Sequence, residues 1–251
     1  MDKNTVADAI IRIGDSSLIM GQRLSEWCGH GPFIEEDIAL TNLALDYIGQ
    51  TQLFYDYAAE LRGKNESHDD LAFMRDGNQF KNFLLVELPN GDFAVTVGKI
   101  CFFSGYLCAY YEALSNSADD RLAEIAVKSL KEVRYHFEHT SNWIVRLGQG
   151  TEESKRRMQD AIDQLWNYTF EMFEDDQMDA DMNSLDMAPL PSSLHAGWDA
   201  EINACLQEAG LRAPEDHYAQ KGGKSGVHTE HLGHLLAEMQ FLQRAYPGNE
   251  W

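Results

Sequence analysis

Helical periodicity runs through almost the entire chain and constrains its fold more than any other feature. Apolar residues recur at three- and four-residue intervals, and no segment shows the convincing apolar–polar alternation of a half-buried strand. Long helices bury their apolar faces against one another, so the pattern predicts an all-α, up-and-down helix bundle. The predicted helices cover residues 5–27, 35–62, 93–115, 119–147, 152–174, 191–211 and 229–245.

The spacing of these helices indicates the type of bundle. Two helix pairs, 5–62 and 93–147, are separated by a long connection through residues 63–92. Such a connection is typical of ferritin-like bundles rather than of a simple four-helix hairpin array. With 251 residues, 44% of them hydrophobic, the chain can form a large core. We therefore expect a single ferritin-like helical domain over residues 1–251, with additional C-terminal helices, and a solvated acidic loop over 174–186.

Charge and cysteine usage limit the partners and the compartment. The chain has 20 Lys and Arg against 41 Asp and Glu, a formal net charge of −21. This charge argues against nucleic acid and anionic membrane surfaces as partners. The four cysteines form no CxxC pair, which fits a reducing compartment. The first residues lack a signal-peptide pattern, so a cytoplasmic location is expected.

One apolar segment, Phe93–Tyr111, approaches the length of a membrane span. It contains Lys99 and small polar residues, and no basic cluster marks either flank. We interpret it as a core helix that is buried on all sides, and we expect no membrane-spanning segment.

The second predicted helix carries an incomplete metal-binding pattern. A ferritin-type di-iron centre takes one carboxylate from each of two helices and a Glu-x-x-His pair from each of the other two. In this chain Asp46 takes the place of the glutamate, and Gly49 occupies the histidine position. Asp15 in the first helix is a further carboxylate of the pattern. The third helix has no acid at its centre.

The fourth predicted helix is incomplete in the same way. Glu132 is present, but Tyr135 stands three residues later, and His136 lies one position too far along. The sequence therefore predicts degenerate di-iron positions, with no metal and no catalytic residue in this chain. An alternative is an independent di-iron protein with the altered ligand set Asp46, Glu132 and His136. The structural interpretation is instead a buried polar network of Asp46, Gln50, Glu132 and Arg134.

The C-terminal segment 222–240 holds two further patterns. His231 and His234 share a helix face, but a zinc site would need a third ligand, so capping and surface roles are favoured. The sequence GGKSG over 222–226 is no P-loop, because no strand precedes it and the first glycine of that motif is missing.

Several segments, in order along nearly the whole chain, resemble one known family. They are QRLSEWCGHGP (22–32), ALDYIGQ (44–50), LLVELPNGDFA (84–94), KEVRYHFEH (131–139) and GGKSGVHTEHLGHLLAEMQFLQRAYPG (222–248). These segments resemble the family of non-catalytic structural subunits of the multicomponent phenylacetyl-CoA epoxidases. Val133 departs from that pattern, in which a smaller residue is more usual.

The resemblance implies a ferritin-like subunit without a working iron site. Its expected partners are a homologous catalytic subunit that carries the di-iron centre, a small accessory subunit, and a reductase that uses NADPH, flavin and an Fe–S cluster. The resembled complex epoxidises the ring of phenylacetyl-CoA with O₂ in aerobic phenylacetate catabolism. On this basis His228, Glu230 and His231 are candidates for a partner interface. A helical interaction module outside oxygenase metabolism remains a third hypothesis.

Overall fold

The computed structural model describes residues 2–63, 66–215 and 218–249, and every regular element within these ranges is a helix. The chain divides into two compact units, one formed by Met1–Pro89 with Gly222–Trp251 and the other by Asn90–Lys221. The α-helices are α1 Lys3–Ser25, α2 Ile34–Arg62, α3 His68–Phe73, α4 Leu84–Glu87, α5 Phe93–Leu114, α6 Asp120–Gly148, α7 Glu152–Trp166, α8 Gln177–Ser184, α9 His195–Glu208, α10 Glu230–Met239 and α11 Phe241–Ala245.

Helices α1 and α2 form an antiparallel hairpin in the first unit. A Cβ on Gly14 would lie 2.8 Å from the ring of Tyr55, and one on Gly21 would lie 2.9 Å from the Ile48 side chain. These glycines therefore permit the two helix backbones to approach closely. Gly63, in the left-handed conformation with φ of 60°, ends α2 where the sequence predicts its end.

The C-terminal helices belong to this first unit and pack beside its central connection. The predicted helix over 229–245 is interrupted at Gln240, whose buried side-chain amide donates hydrogen bonds to the carbonyl groups of Ala72 and Arg75 at 3.0 and 2.9 Å. The chain therefore forms α10 and α11 rather than one continuous helix. This anchor joins residues 165 or more positions apart, so the helical periodicity gives no sign of it.

Helices α5 and α6 form the antiparallel pair of the second unit. Phe93 and Trp143 pack edge to face with ring centroids 5.2 Å apart at one end of the pair. Arg134 lies 3.3 Å from the Glu112 carboxylate towards the other end. Among the described residues α5 is the one helix long and apolar enough to cross a membrane, and 78% of its most apolar window is buried in the protein. The prediction of a buried core helix is confirmed.

Two predictions for the second unit are wrong, one for the end of a helix and one for a loop. The helix expected over 152–174 ends at Trp166, where Thr169 donates its hydroxyl hydrogen to the Trp166 carbonyl at 2.8 Å and a 3₁₀ turn follows over Phe170–Phe173. The acidic segment 174–186 is not a loop, because it contains α8. Asp176 and Asp179 form a reciprocal capping box there, so the short acidic side chains begin a helix.

Helix α9 completes the core of the second unit. Trp198 is buried and donates its indole N–H to the Phe102 carbonyl of α5 at 3.0 Å. Its ring lies among those of Phe102, Trp166 and Phe173, with centroids 5.1–5.8 Å from its own. The fold is the predicted all-α ferritin-like helical bundle with additional C-terminal helices. The single domain over residues 1–251 stays a prediction.

Candidate functional site

The predicted metal position on α2 does not face the interior. Asp46 is half-buried, whereas Gly49 is exposed. In the part of the chain that the structure describes, a Cβ built on Gly49 would have no atom within 4 Å outside its own helix backbone. A histidine in a di-iron site must point into the bundle, so the assignment of Gly49 to that position was wrong.

The predicted position on α6 is wrong for a related reason. Tyr135 is exposed and stacks on His139 with ring centroids 5.8 Å apart, whereas His136 is fully buried. The buried face of α6 includes Val133, His136 and Thr140, so the residue three after Glu132 points outward. Glu132 itself is half-buried.

Arg134 also lies outside the predicted buried network. Its side chain is exposed and pairs with Glu112, which is exposed as well. Gln50, by contrast, is buried as expected.

These positions do not fit a di-iron centre. Over residues 2–63, 66–215 and 218–249, no three or more His, Cys, Asp or Glu side chains are grouped so that they could hold a metal ion. Gly49 and Tyr135 point outward, so neither of them occupies a histidine position of such a centre. No chemistry through bound iron is therefore derived for this chain.

Asp15, at the centre of α1, is a buried carboxylate that protein donors surround. Its Oδ1 accepts hydrogen bonds from the Tyr55 hydroxyl and from Arg75 Nη2, both at 2.5 Å. Its Oδ2 accepts from the Lys81 backbone N–H at 2.7 Å and from Arg75 Nη1 at 3.2 Å. The Arg75 guanidinium also lies over the Phe80 ring, 4.1 Å from its centroid. Four hydrogen bonds, two of them from one cation, thus satisfy this carboxylate completely.

The environment fixes the protonation states of this Asp15 cluster. Burial, together with the negative charge of Asp15, raises the pKa of Tyr55 well above its ordinary value. Burial opposes the charge of Arg75, but the attraction of Asp15 outweighs it and raises the pKa of Arg75. At neutral pH the cluster is therefore a carboxylate–guanidinium pair with a neutral phenol as an additional donor.

Glu87, at the end of α4, is the second fully buried carboxylate of the first unit. One oxygen accepts the Thr229 backbone N–H at 2.6 Å, and the other accepts from His228 Nδ1 at 2.8 Å and from the Asn82 amide at 3.0 Å. The Glu87 backbone carbonyl accepts two further hydrogen bonds from Arg23, at 3.0 and 2.8 Å. The Glu87 cluster therefore ties α1, α4 and the C-terminal segment together.

His228 has an internal role in this cluster. Its Nε2 lies 2.9 Å from the Phe80 carbonyl oxygen, while its Nδ1 lies 2.8 Å from the Glu87 carboxylate. Both ring nitrogens therefore have a hydrogen-bond partner within the first unit. Only 8% of the side chain is exposed. The contact of His228 with a partner stays a prediction, although its polar atoms are bound within the unit.

Glu230 and His231 stay predicted interface residues. Glu230 is exposed in the first turn of α10. The carbonyl of His231 accepts a hydrogen bond from Arg23 at 3.1 Å, and its side chain is half-buried.

The glycine-rich turn before α10 packs closely against the chain near residues 78–82. A Cβ on Gly223 would lie 2.1 Å from the Asn82 carbonyl oxygen, and one on Gly226 would lie 2.3 Å from that of Asn78. Gly226 also has a φ of +80°. The turn can therefore contact the chain near residues 78–82 only if these positions remain glycine.

Two cysteines of the second unit, Cys101 and Cys108, are poor nucleophiles at neutral pH. Burial, and then the negative charge of Glu201, raises the pKa of Cys108 to about 12. A hydrogen bond with Cys205, together with burial, raises the pKa of Cys101. Because the thiolate is the reactive species, neither side chain supports thiol chemistry.

The raised pKa of Cys108 predicts a loss of stability in alkali. The folded-state pKa of about 12 exceeds the ordinary value of 9.0. The stabilising contribution of the neutral Cys108 thiol to folding is therefore complete below pH 9 and declines as pH rises towards 12. We expect the wild-type chain to lose about 2 kcal/mol more unfolding free energy than Cys108→Ala between pH 7 and 11. Urea unfolding at several pH values measures the difference, and Cys28→Ala is the control because Cys28 is exposed. Parallel losses in wild type and Cys108→Ala would contradict the prediction.

The Glu87 cluster is not among the predicted sites, although the sequence carries a signal for it. Glu87 stands within the apolar run LLVELP, and a charge in such a run must find partners when it is buried. The pattern does not say which donors bind it, since His228 lies 141 positions away.

The chain matches known sequences over its whole length. The profile of the family described as phenylacetic acid catabolic protein matches residues 1–251. The chain is also 46% identical, over 248 residues, to a subunit of the 1,2-phenylacetyl-CoA epoxidase of Escherichia coli (strain K12). That alignment covers 99% of this chain and 100% of the relative. Both matches include the C-terminal segment that the Glu87 cluster anchors.

Proposed function

The chain belongs to the phenylacetic acid catabolic protein family, and on this premise we propose that it is a structural, non-catalytic subunit of a phenylacetyl-CoA epoxidase. In this role it stabilises a homologous catalytic subunit in aerobic phenylacetate catabolism. The observation that carries the proposal is the full-length match to a subunit of that enzyme, 46% identical. The family assignment confirms the resemblance found in the sequence.

The buried polar groups of the first unit support a structural role. Asp15 pairs with the Arg75 guanidinium, and Glu87 shares a hydrogen bond with His228. Each carboxylate also accepts a backbone N–H group, so its oxygens are committed to the protein. A carboxylate bound in this way holds the fold together and is not available to bind a metal ion or to activate substrate.

The chemistry in this proposal belongs to the other components of the complex. The homologous subunit supplies the di-iron centre at which O₂ and phenylacetyl-CoA react. A reductase with flavin and an Fe–S cluster delivers electrons from NADPH, and a small accessory subunit completes the assembly. The present chain contributes a folded surface and no cofactor. We propose that the assembly works in the cytoplasm.

The test compares the chain purified alone with the chain co-purified with the homologous catalytic subunit. We expect less than about 0.1 iron per chain when it is alone and iron in the complex, as measured by plasma emission. Epoxidation of phenylacetyl-CoA should require both subunits and the reductase. About two irons per isolated chain, with an oxo-bridge absorption band, would instead favour an independent di-iron protein. Full activity of the complex without this chain would refute the structural role.

A further inference from the structure

One face of α2 exposes an apolar stripe. Ile34, Ile38 and Leu45 have 71%, 56% and 61% of their surface exposed. At 100° per residue these positions lie within about 40° of one another around the helix. Large apolar side chains that are aligned and exposed in this way are typical of protein–protein interfaces.

The charges around the stripe have one sign. No Lys or Arg occurs between Arg23 and Arg62, so the loop before α2 and nearly all of α2 lack a side chain with a permanent positive charge. The same stretch contains six acidic residues at exposed or half-buried positions: Glu26, Glu35, Asp37, Asp46, Asp56 and Glu60. A surface of this kind fits a partner whose own apolar stripe is flanked by Lys and Arg.

Gly49 is an independent sign of a close contact. It lies within about 60° of Ile34 around the helix, on the same face as the stripe. Glycine in the middle of a helix is unfavourable relative to alanine, so it is expected where a side chain would obstruct something. Among the described residues, a Cβ at Gly49 would meet nothing within 4 Å beyond its own helix backbone. The open space beside Gly49 is therefore wide enough for the backbone of another helix to cross there.

We propose that the α2 stripe, formed by Ile34, Ile38, Leu45 and Gly49, binds a helix of the homologous catalytic subunit. That helix carries an apolar stripe flanked by Lys and Arg, and it crosses α2 closely at Gly49. The choice of this subunit as the partner rests on the proposed function. A second copy of the chain is the poorer occupant, since two chains of net charge −21 repel each other and neither offers basic margins along this helix.

The first test replaces apolar residues without changing charge. We expect Ile38→Gln combined with Leu45→Gln to weaken binding of the catalytic subunit about 100-fold, as measured by calorimetric titration. The melting temperature of the variant alone should stay close to that of wild type, because both side chains are largely exposed. The matched control is Val127→Gln on α6, which removes an exposed apolar side chain outside the stripe and should leave affinity unchanged.

The second test uses Gly49, for which the expected effects have opposite signs. Gly49→Leu should raise the melting temperature of the isolated chain by about 2–4 °C, because leucine favours the helix and the space around it is open. The same variant should weaken the complex at least about 10-fold, since the side chain would obstruct the crossing helix. Affinity of the wild-type complex should also fall as salt is raised from about 0.05 to about 0.5 M.

Each result decides the proposal. If the wild-type chain binds the catalytic subunit and both stripe variants bind it with the same affinity, the docking surface is overturned and the structural role stands. Equal weakening by Val127→Gln would also overturn it. No binding of the wild-type chain to the catalytic subunit would refute the proposed function and the docking surface together. A dimer of this chain alone that the stripe variants abolish would assign the surface to a second copy instead.

Discussion

Asp15→Ala is expected to lower the free energy of unfolding by about 3–5 kcal/mol, because Arg75 would keep a buried charge without its carboxylate partner. The Tyr55 hydroxyl and the Lys81 backbone N–H would lose their acceptor at the same time. For a chain of this size the melting temperature should fall by about 10 °C. Urea unfolding, followed by circular dichroism and by tryptophan fluorescence, measures the effect and tests whether both probes report one transition.

A surface ion pair provides the control for this prediction. Arg156 pairs with Glu153 and Asp160, but all three side chains are exposed, so Arg156→Ala should cause no measurable loss. Arg75→Met in the Asp15→Ala background removes the orphaned charge and should restore part of the lost stability. If Asp15→Ala unfolds like Arg156→Ala, the four hydrogen bonds to Asp15 do not stabilise the fold as we argue. If Arg75→Met makes Asp15→Ala worse, packing of the arginine side chain matters more than its charge.

The long helices could be predicted because local signals agree with periodicity at their ends. Asp92 and Asp119 cap α5 and α6 by accepting the backbone N–H of the third residue beyond. Gly63 ends α2 in the conformation that favours glycine. At 174–186 the charge density suggested a solvated loop, although the spacing of Asp176 and Asp179 was a helix-start signal.

The candidate site was harder to predict, because side-chain direction depends on tertiary packing. The spacing from Glu132 placed Tyr135 inward, but a shift of one residue turns a helix position by about 100° and brings His136 to the buried face instead. The partners of Asp15 and Glu87 include segments 40 to 142 positions away. Charge within an apolar run indicates that a partner exists, yet only the packed chain identifies it.

On the proposed function, these two clusters stabilise the bundle in place of bound metal ions. In a di-iron protein, bound cations neutralise the carboxylates that point into the core. Here Arg75 supplies positive charge to Asp15, His228 shares a hydrogen bond with Glu87, and backbone N–H groups satisfy other lone pairs. On the proposed function, the helices hold a fixed surface for a partner without metal chemistry.

Glu87→Ala is expected to destabilise the first unit by about 3–5 kcal/mol, because the buried His228 and Asn82 side chains would lose their hydrogen-bond partner. The Thr229 backbone N–H at the start of α10 would lose its acceptor as well. The loss of structure should begin in the C-terminal segment, since Glu87 accepts the backbone N–H at the start of that segment. Amide hydrogen exchange should show faster exchange in α10 and in residues 222–229, with α5 and α6 unchanged.

Two variants separate charge from shape in this prediction. Glu87→Gln keeps an acceptor oxygen for Thr229 but replaces the carboxyl oxygen opposite His228, so its loss of stability should lie between those of wild type and Glu87→Ala. Glu230→Ala removes an exposed carboxylate in the first turn of α10 and should leave exchange of that helix essentially unchanged. Faster exchange throughout both units in Glu87→Ala would show that the cluster supports global stability alone. Unchanged exchange in α10 would show that the glycine-rich turn and Gln240 hold the C-terminal segment without it.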